Sequence, residues 1–208
     1  MELSISLLNA KDRKKTVKKL NNTKIDMFHI DVMDGEFVTN KSFPVEEIIE
    51  LSSITSKPLD IHLMVNDPVI YIEKLNELSN INNITFHLEI NKDINNILNK
   101  LKKYGIKRGI ALRPNTDIKE IIPYLNNIDL LLVMTVEPGL GGQPFIETST
   151  ERIKQIKKII KDYNMILEVD GGINAKTISQ VSDANISVVG SFVTTSNNIE
   201  EAINKLIV

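Results

Sequence analysis

The stretch Met27-Phe28-His29-Ile30-Asp31-Val32-Met33-Asp34-Gly35 decides the fold. In an extended chain, side chains alternate between two faces. Phe28, Ile30 and Val32 therefore share one face, and His29, Asp31 and Met33 the other. A second stretch, Leu59-Asp60-Ile61-His62-Leu63-Met64-Val65, repeats the pattern, with Asp60, His62 and Met64 on one parity. Near-continuous apolar runs of this kind, alternating with helical patterns, predict a parallel sheet buried on both sides.

Strands are predicted at Leu3–Leu8, Met27–Val32, Leu59–Val65, Ile84–Glu89, Arg108–Leu112, Leu130–Val136, Ile166–Val169 and Ile186–Val189. Each is followed by a helical pattern. The clearest is Arg152–Lys161, where Ile153, Ile156 and Ile160 form one face and Lys154, Lys157, Lys158 and Lys161 another, the latter read as solvated. Eight βα units predict an α/β protein with a closed (β/α)8 TIM barrel. An open doubly wound sheet is disfavoured because no GxGxxG follows the first strand. The chain of 208 residues is short for such a barrel and shows no linker, so residues 1–208 are expected to be one catalytic domain.

Composition is ordinary for a globular protein, at 42% hydrophobic and 25% charged. A net charge of −2 gives no reason to expect nucleic acid or a membrane surface as partner. The absence of cysteine excludes disulfides and thiolate ligands and leaves a metal only nitrogen and oxygen donors. The opening MELSISLL lacks the pattern of a signal peptide, and no stretch approaches a membrane span, so a cytoplasmic protein is expected. A homo-oligomer is compatible with these features.

Polar residues gather late in the strands or just after them: Ser6, His29, Asp31, His62, His87, Glu89, Arg113, Asp170 and Ser191. Barrels place their active sites on that rim. A single histidine near an apolar strand is usually structural, but all three histidines of this chain lie late in strands. His29, Asp31, His62 and Asp170 together make a donor set suited to a divalent transition metal, and the two carboxylates could move protons beside it. Six of the nine glycines fall in Pro138-Gly139-Leu140-Gly141-Gly142-Gln143, Asp170-Gly171-Gly172 and Gly190-Ser191. These follow the last three strands, where bare backbone N–H groups of barrels approach phosphate. Met33, Met64 and Met134 sit at strand ends beside the polar set, as core filling or as an apolar cap over an anionic intermediate. His87 and Glu89 read as supports behind the metal site, and Asp34 as a turn cap or a substrate contact.

The segments FHIDVMDGEFVTN, LDIHLMV, ITFHLE, VMTVEPGLGGQPF, EVDGGI and VVGS resemble, in order and over nearly the whole chain, the ribulose-phosphate 3-epimerases. The resemblance implies a (β/α)8 barrel that interconverts D-ribulose 5-phosphate and D-xylulose 5-phosphate through a metal-stabilised enediolate. It implies His29, Asp31, His62 and Asp170 as metal ligands, and Asp31 and Asp170 as the proton-transfer residues. Ser6 and His62 would touch substrate. Gly139, Leu140, Gly141, Gly142, Gly171, Gly172, Gly190 and Ser191 would hold the phosphate side, with Met33, Met64 and Met134 as the methionine cap. The cofactor implied is one divalent ion, Zn²⁺ or Fe²⁺ first and Mn²⁺ or Co²⁺ next. The partner is a phosphorylated ketose.

The chain departs from the family's usual text at the rim. Ile5-Ser6-Leu7-Leu8 stands for Pro-Ser-Ile-Leu, Thr39 for a proline before the shorter Asn40-Lys41-Ser42-Phe43-Pro44, Arg113 for asparagine before Pro114, Glu137 for asparagine before Pro138, and Phe192-Val193-Thr194-Thr195 for an alanine-containing run. None of these removes a catalytic residue. D-allulose 6-phosphate 3-epimerases use the same constellation and form the alternative. A metal-dependent hydrolase needs an activated water rather than paired carboxylates under a methionine lid. A sugar-phosphate-binding sensor would have no need of both aspartates.

Overall fold

Eight parallel strands close on themselves because each is buried on both faces, its outward side chains under the helices and its inward ones inside the ring. The computed structural model describes residues 1–207. The strands run β1 (Glu2–Ser6), β2 (Met27–Asp34), a two-residue β3 (Lys41–Ser42), β4 (Leu59–Met64), β5 (Ile81–His87), β6 (Lys107–Leu112), β7 (Leu130–Met134), β8 (Ile166–Asp170) and β9 (Ile186–Val189). Every neighbouring pair is parallel except β2–β3, and β1 pairs with both β9 and β2, which closes the (β/α)8 barrel. The helices are α1 (Arg13–Leu20), α2 (Val45–Ser53), α3 (Pro68–Leu75), α4 (Ile94–Lys103), α5 (Ser149–Ile160), α6 (Ser191–Thr194) and α7 (Ile199–Asn204). Aspartates at the N-caps of α1, α3 and α4 accept backbone N–H groups and set the helix starts on the rim.

Two deviations from the sequence expectation concern the outer layer. The segment after β6 is a 3₁₀ run, Ile118–Asn127, rather than an α-helix. Pro123 lies inside it and removes the N–H that an α-helical turn needs. After β8 only a short 3₁₀ turn, Ile178–Val181, covers the sheet. The lysine-striped helix forms as α5, with Ile153, Ile156 and Ile160 buried and Lys154, Lys158 and Lys161 exposed.

The packing divides into three apolar clusters. The largest lies between sheet and helices and takes residues such as Phe28, Ile30, Ile61, Leu63, Ile153 and Ile156. A smaller one fills one side of the barrel interior with Ala111, Leu130, Leu132, Met134 and Ile186. The third closes part of the mouth with Met33, Val38 and Met64. The rest of the interior is polar: Ser4, His29, Asp60, His62, Asn83, Thr85 and Glu168 are fully buried. Register sets this layer. On β2 and β4, His29 pairs with Asp60, Asp31 with His62 and Met33 with Met64, so three inward-facing steps rise together towards the mouth. Among the described residues no helix is long and apolar enough to cross a membrane.

Candidate active site

The alternation of β2 sends His29 and Asp31 inward, and β4 and β8 bring His62 and Asp170 to the same level. His29 Nε2 lies 3.3 Å from Asp31 Oδ1 and 3.9 Å from Asp170 Oδ2. His62 Nδ1 lies 3.4 Å and 3.8 Å from the same two oxygens. The four donor atoms all fall within 4.8 Å of one another. Both imidazole nitrogens are buried and have no hydrogen-bond partner. Unpartnered buried nitrogens are costly, and two of them facing two carboxylates at these separations suit an ion with bonds of about 2.0–2.2 Å. The cluster can hold a divalent metal ion.

Each imidazole is fixed from behind. His29 Nδ1 donates to Asp60 Oδ2 at 2.6 Å, and Asp60 also accepts from Ser4 Oγ at 2.8 Å and from Asn83 Nδ2 at 2.7 Å. With Nδ1 turned to the carboxylates, His62 carries its proton on Nε2 and donates to His87 Nε2 at 3.0 Å. His87 Nδ1 in turn donates to Glu89 Oε2 at 3.0 Å. Glu89 is held by the Arg113 backbone N–H at 2.8 Å and by the Thr116 hydroxyl. Anchoring of this kind fixes tautomer and ring orientation.

Electrostatics separate the two aspartates. Burial raises the Asp31 pKa, but the flanking His29 and His62 overcome it and hold the carboxyl well below the usual range. Ser6 Oγ donates to its Oδ2 at 2.6 Å. Asp170 is pushed up to about 6, first by burial and then by the charge of Asp31. For His29, burial acts downward and is outweighed by Asp60 and Asp31, which hold its pKa well above the ordinary value. His87 is brought down to about 4, chiefly by burial, and so stays neutral. In Glu89 the upward effect of burial is overcome by hydrogen bonds led by that from His87, and the carboxyl falls to about 2.

A cavity of about 720 Å³ opens above this cluster at the C-terminal ends of the strands. Of the residues singled out in the sequence, Ser6, Asp31, Met33, Met64, Met134, Gly139, Leu140, Gly141, Gly142, Asp170, Gly171, Gly172, Gly190 and Ser191 all line it. His29 and His62 do not; both are fully buried against Asp31. Met33 and Met64 pack with Val38 at the mouth, whereas Met134 belongs to the interior cluster. The glycines differ in kind. At Gly172, φ is +68° and a Cβ would stand 2.4 Å from the Phe145 nitrogen, so only glycine fits beside Asp170. At Gly190 a Cβ would meet only Ser6 at 3.5 Å, an ordinary contact. Asp34 caps the turn after β2, accepting N–H groups from Glu36, Phe37 and Asn66 at 2.6–2.9 Å.

Sequence reasoning leaves several groups without a role. Asp60 shares the parity of His62, and Glu168 that of Asp170, which is the available signal for both. Asn83 falls outside the expected strand, which starts three residues earlier than predicted, at Ile81. Asn9, whose Nδ2 donates to Ser191 Oγ at 2.7 Å, ties the first loop to the last and carries no signal in its surroundings.

The sequence pattern described as the ribulose-phosphate 3 epimerase family matches residues 1–194. A ribulose-phosphate 3-epimerase from Helicobacter pylori is 35% identical over 99% of this chain and 96% of the relative. One from Methanocaldococcus jannaschii is 34% identical over 91% of this chain and 82% of the relative. Among solved structures, KGPDC from Streptococcus mutans superposes with a TM-score of 0.71 at 14% identity, covering 99% of this chain and 94% of that one, a likeness of fold.

Proposed function

Because the chain belongs to the ribulose-phosphate 3-epimerase family, an isomerase family, we propose that it inverts carbon 3 of a ketose phosphate, interconverting D-ribulose 5-phosphate and D-xylulose 5-phosphate. One observation carries this reading. Asp31 and Asp170, on strands separated by β1 and β9, face one cavity with His29 and His62 buried against them.

His29, Asp31, His62 and Asp170 are the proposed ligands of one divalent ion, Zn²⁺ or Fe²⁺ first and Mn²⁺ or Co²⁺ next. Such an ion supplies positive charge for the negative charge that develops on the sugar's O2 and O3 oxygens. The protein's own part is the proton. One aspartate takes it from one face of carbon 3 and the other returns one to the opposite face. Asp31, held ionised and oriented by Ser6, suits the base, and Asp170, raised to about 6, suits the acid. Their roles exchange in the reverse direction. Met33, Met64 and Met134 keep water from the reacting carbon, and the glycine loops at 139–142, 171–172 and 190–191 receive the phosphate through backbone N–H groups. One barrel carries all these parts, so the whole reaction belongs to a single domain.

The test is direct. Protein loaded with each metal in turn is incubated with ribulose 5-phosphate, and xylulose 5-phosphate is measured; in D₂O the product should carry deuterium at carbon 3. Asp31→Asn and Asp170→Asn should each lower turnover by about 10²–10⁴-fold, with metal content measured in both. No conversion with any metal sinks the reading. Allulose 6-phosphate is assayed alongside, because Arg113 and Glu137 depart from the family's text at the rim. Faster turnover of that sugar moves the assignment to the D-allulose 6-phosphate 3-epimerases.

A further inference from the structure

The glycine loops offer phosphate partial charges only. Two full positive charges line the same cavity: Lys176, in the loop after β8, and Lys205, which follows α7. They are the only lysine or arginine side chains on the cavity wall among the described residues; the other ionised side chains there are Asp31, Asp170 and Glu137. The two aspartates lie at the floor, whereas Glu137 is exposed at the start of the glycine loop and accepts from Asn115 Nδ2 at 3.3 Å. Lys205 Nζ is 2.7 Å from Glu201 Oε1, in a pair more than half exposed on both sides. Such a pair is weak and yields readily to a more highly charged anion. Lys205 lies beyond residues 1–194, which match the family pattern.

A phosphate monoester carries about −1.5 to −2 charges near neutral pH. It approaches a chain of net charge −2 in whose cavity Glu137 is the acid not given to the proposed divalent ion. Exposed lysines act on it over roughly a Debye length, about 8 Å at physiological salt. We propose that Lys176 and Lys205 form a cationic rim that draws in and retains the substrate phosphate, with Glu137 opposing them, and that this rim gives the phosphorylated ketose its advantage over the free sugar. The inference rests on the proposed reaction for its substrate.

Its signature is an opposed pair of charge effects that salt removes. Lys176→Met with Lys205→Met should lower kcat/KM for ribulose 5-phosphate about tenfold at low salt. The loss should fall in KM with kcat nearly unchanged, and should shrink towards nothing at about 0.5 M salt. Glu137→Gln should raise kcat/KM about two- to threefold under the same low-salt conditions. Metal content and melting temperature should match wild type throughout. A double lysine variant with wild-type KM, or with a loss that high salt leaves untouched, overturns the rim. Should wild type turn over no ketose phosphate, the reaction is what fails. Calorimetric titration with inorganic phosphate then decides the rim alone: weaker binding to the double variant supports it, and equal binding rejects it.

Discussion

His29 and His62 present different nitrogens to the same two carboxylates and stand on different supports. Behind His29 a carboxylate is in direct contact: Asp60, fully buried, fixed by Ser4 and Asn83. Behind His62 stands the neutral imidazole of His87, and the carboxylate comes only after it, as Glu89 at the rim. The direct arrangement places a charge in the barrel interior, where its desolvation must be offset by every partner it has. The relay leaves the charge near solvent and passes orientation through two hydrogen bonds in series. The first is strong and intolerant of change; the second is open to adjustment from the rim loops.

The largest break should come from Asp60→Ala. It strands His29 Nδ1 and the Ser4 hydroxyl, and takes from the Asn83 amide one of its two acceptors. We expect a loss of about 3–5 kcal/mol in stability and about a hundredfold in metal affinity, read by denaturant unfolding and competitive metal titration. Wild-type affinity in this variant would make the two supports equivalent. His87→Ala should cost less, about tenfold in metal affinity. Adding Glu89→Gln to it should cost little more, because the relay is already cut, whereas combining His87→Ala with Asp60→Ala should give nearly the sum of the two effects on affinity.

A pH experiment sharpens the same contrast. The folded pKa of Glu89 is about 2 against an ordinary 4.5, so it stabilises the fold fully above the ordinary value and progressively less as pH falls towards 2. Glu89→Gln should therefore flatten the acid limb of the stability curve, moving its midpoint by about half a pH unit. An unchanged limb would show that Glu89 does not end the relay. The smallest effect is expected from Ser4→Ala, which removes one of the hydrogen bonds to Asp60: about 1 kcal/mol in thermal unfolding, with metal affinity unaltered.

Much of this is legible in the sequence because strands write their two faces in alternate letters. His29-x-Asp31 and Asp60-x-His62 announce inward-facing steps, and eight such runs announce a closed barrel. The supports are harder to read. Parity with His62 and Asp170 turns Asp60 and Glu168 inward, but only the ring of strands decides which groups they meet there. Pro123 marks the segment that does not become a regular helix, and its missing N–H outweighs the apolar pattern around it. Lys176 and Lys205 are ordinary lysines in sequence and acquire meaning only from the cavity they line.

The β2–β4 register has a consequence for how the barrel assembles. Sliding either strand by one residue reverses which side chains face inward, so one slip would disperse the His29–Asp60, Asp31–His62 and Met33–Met64 pairs at once. The divalent ion proposed for His29, Asp31, His62 and Asp170 would bind only the correctly closed ring, and by mass action would draw misaligned chains towards it. On that proposal the chemistry at the mouth would proofread the folding beneath it.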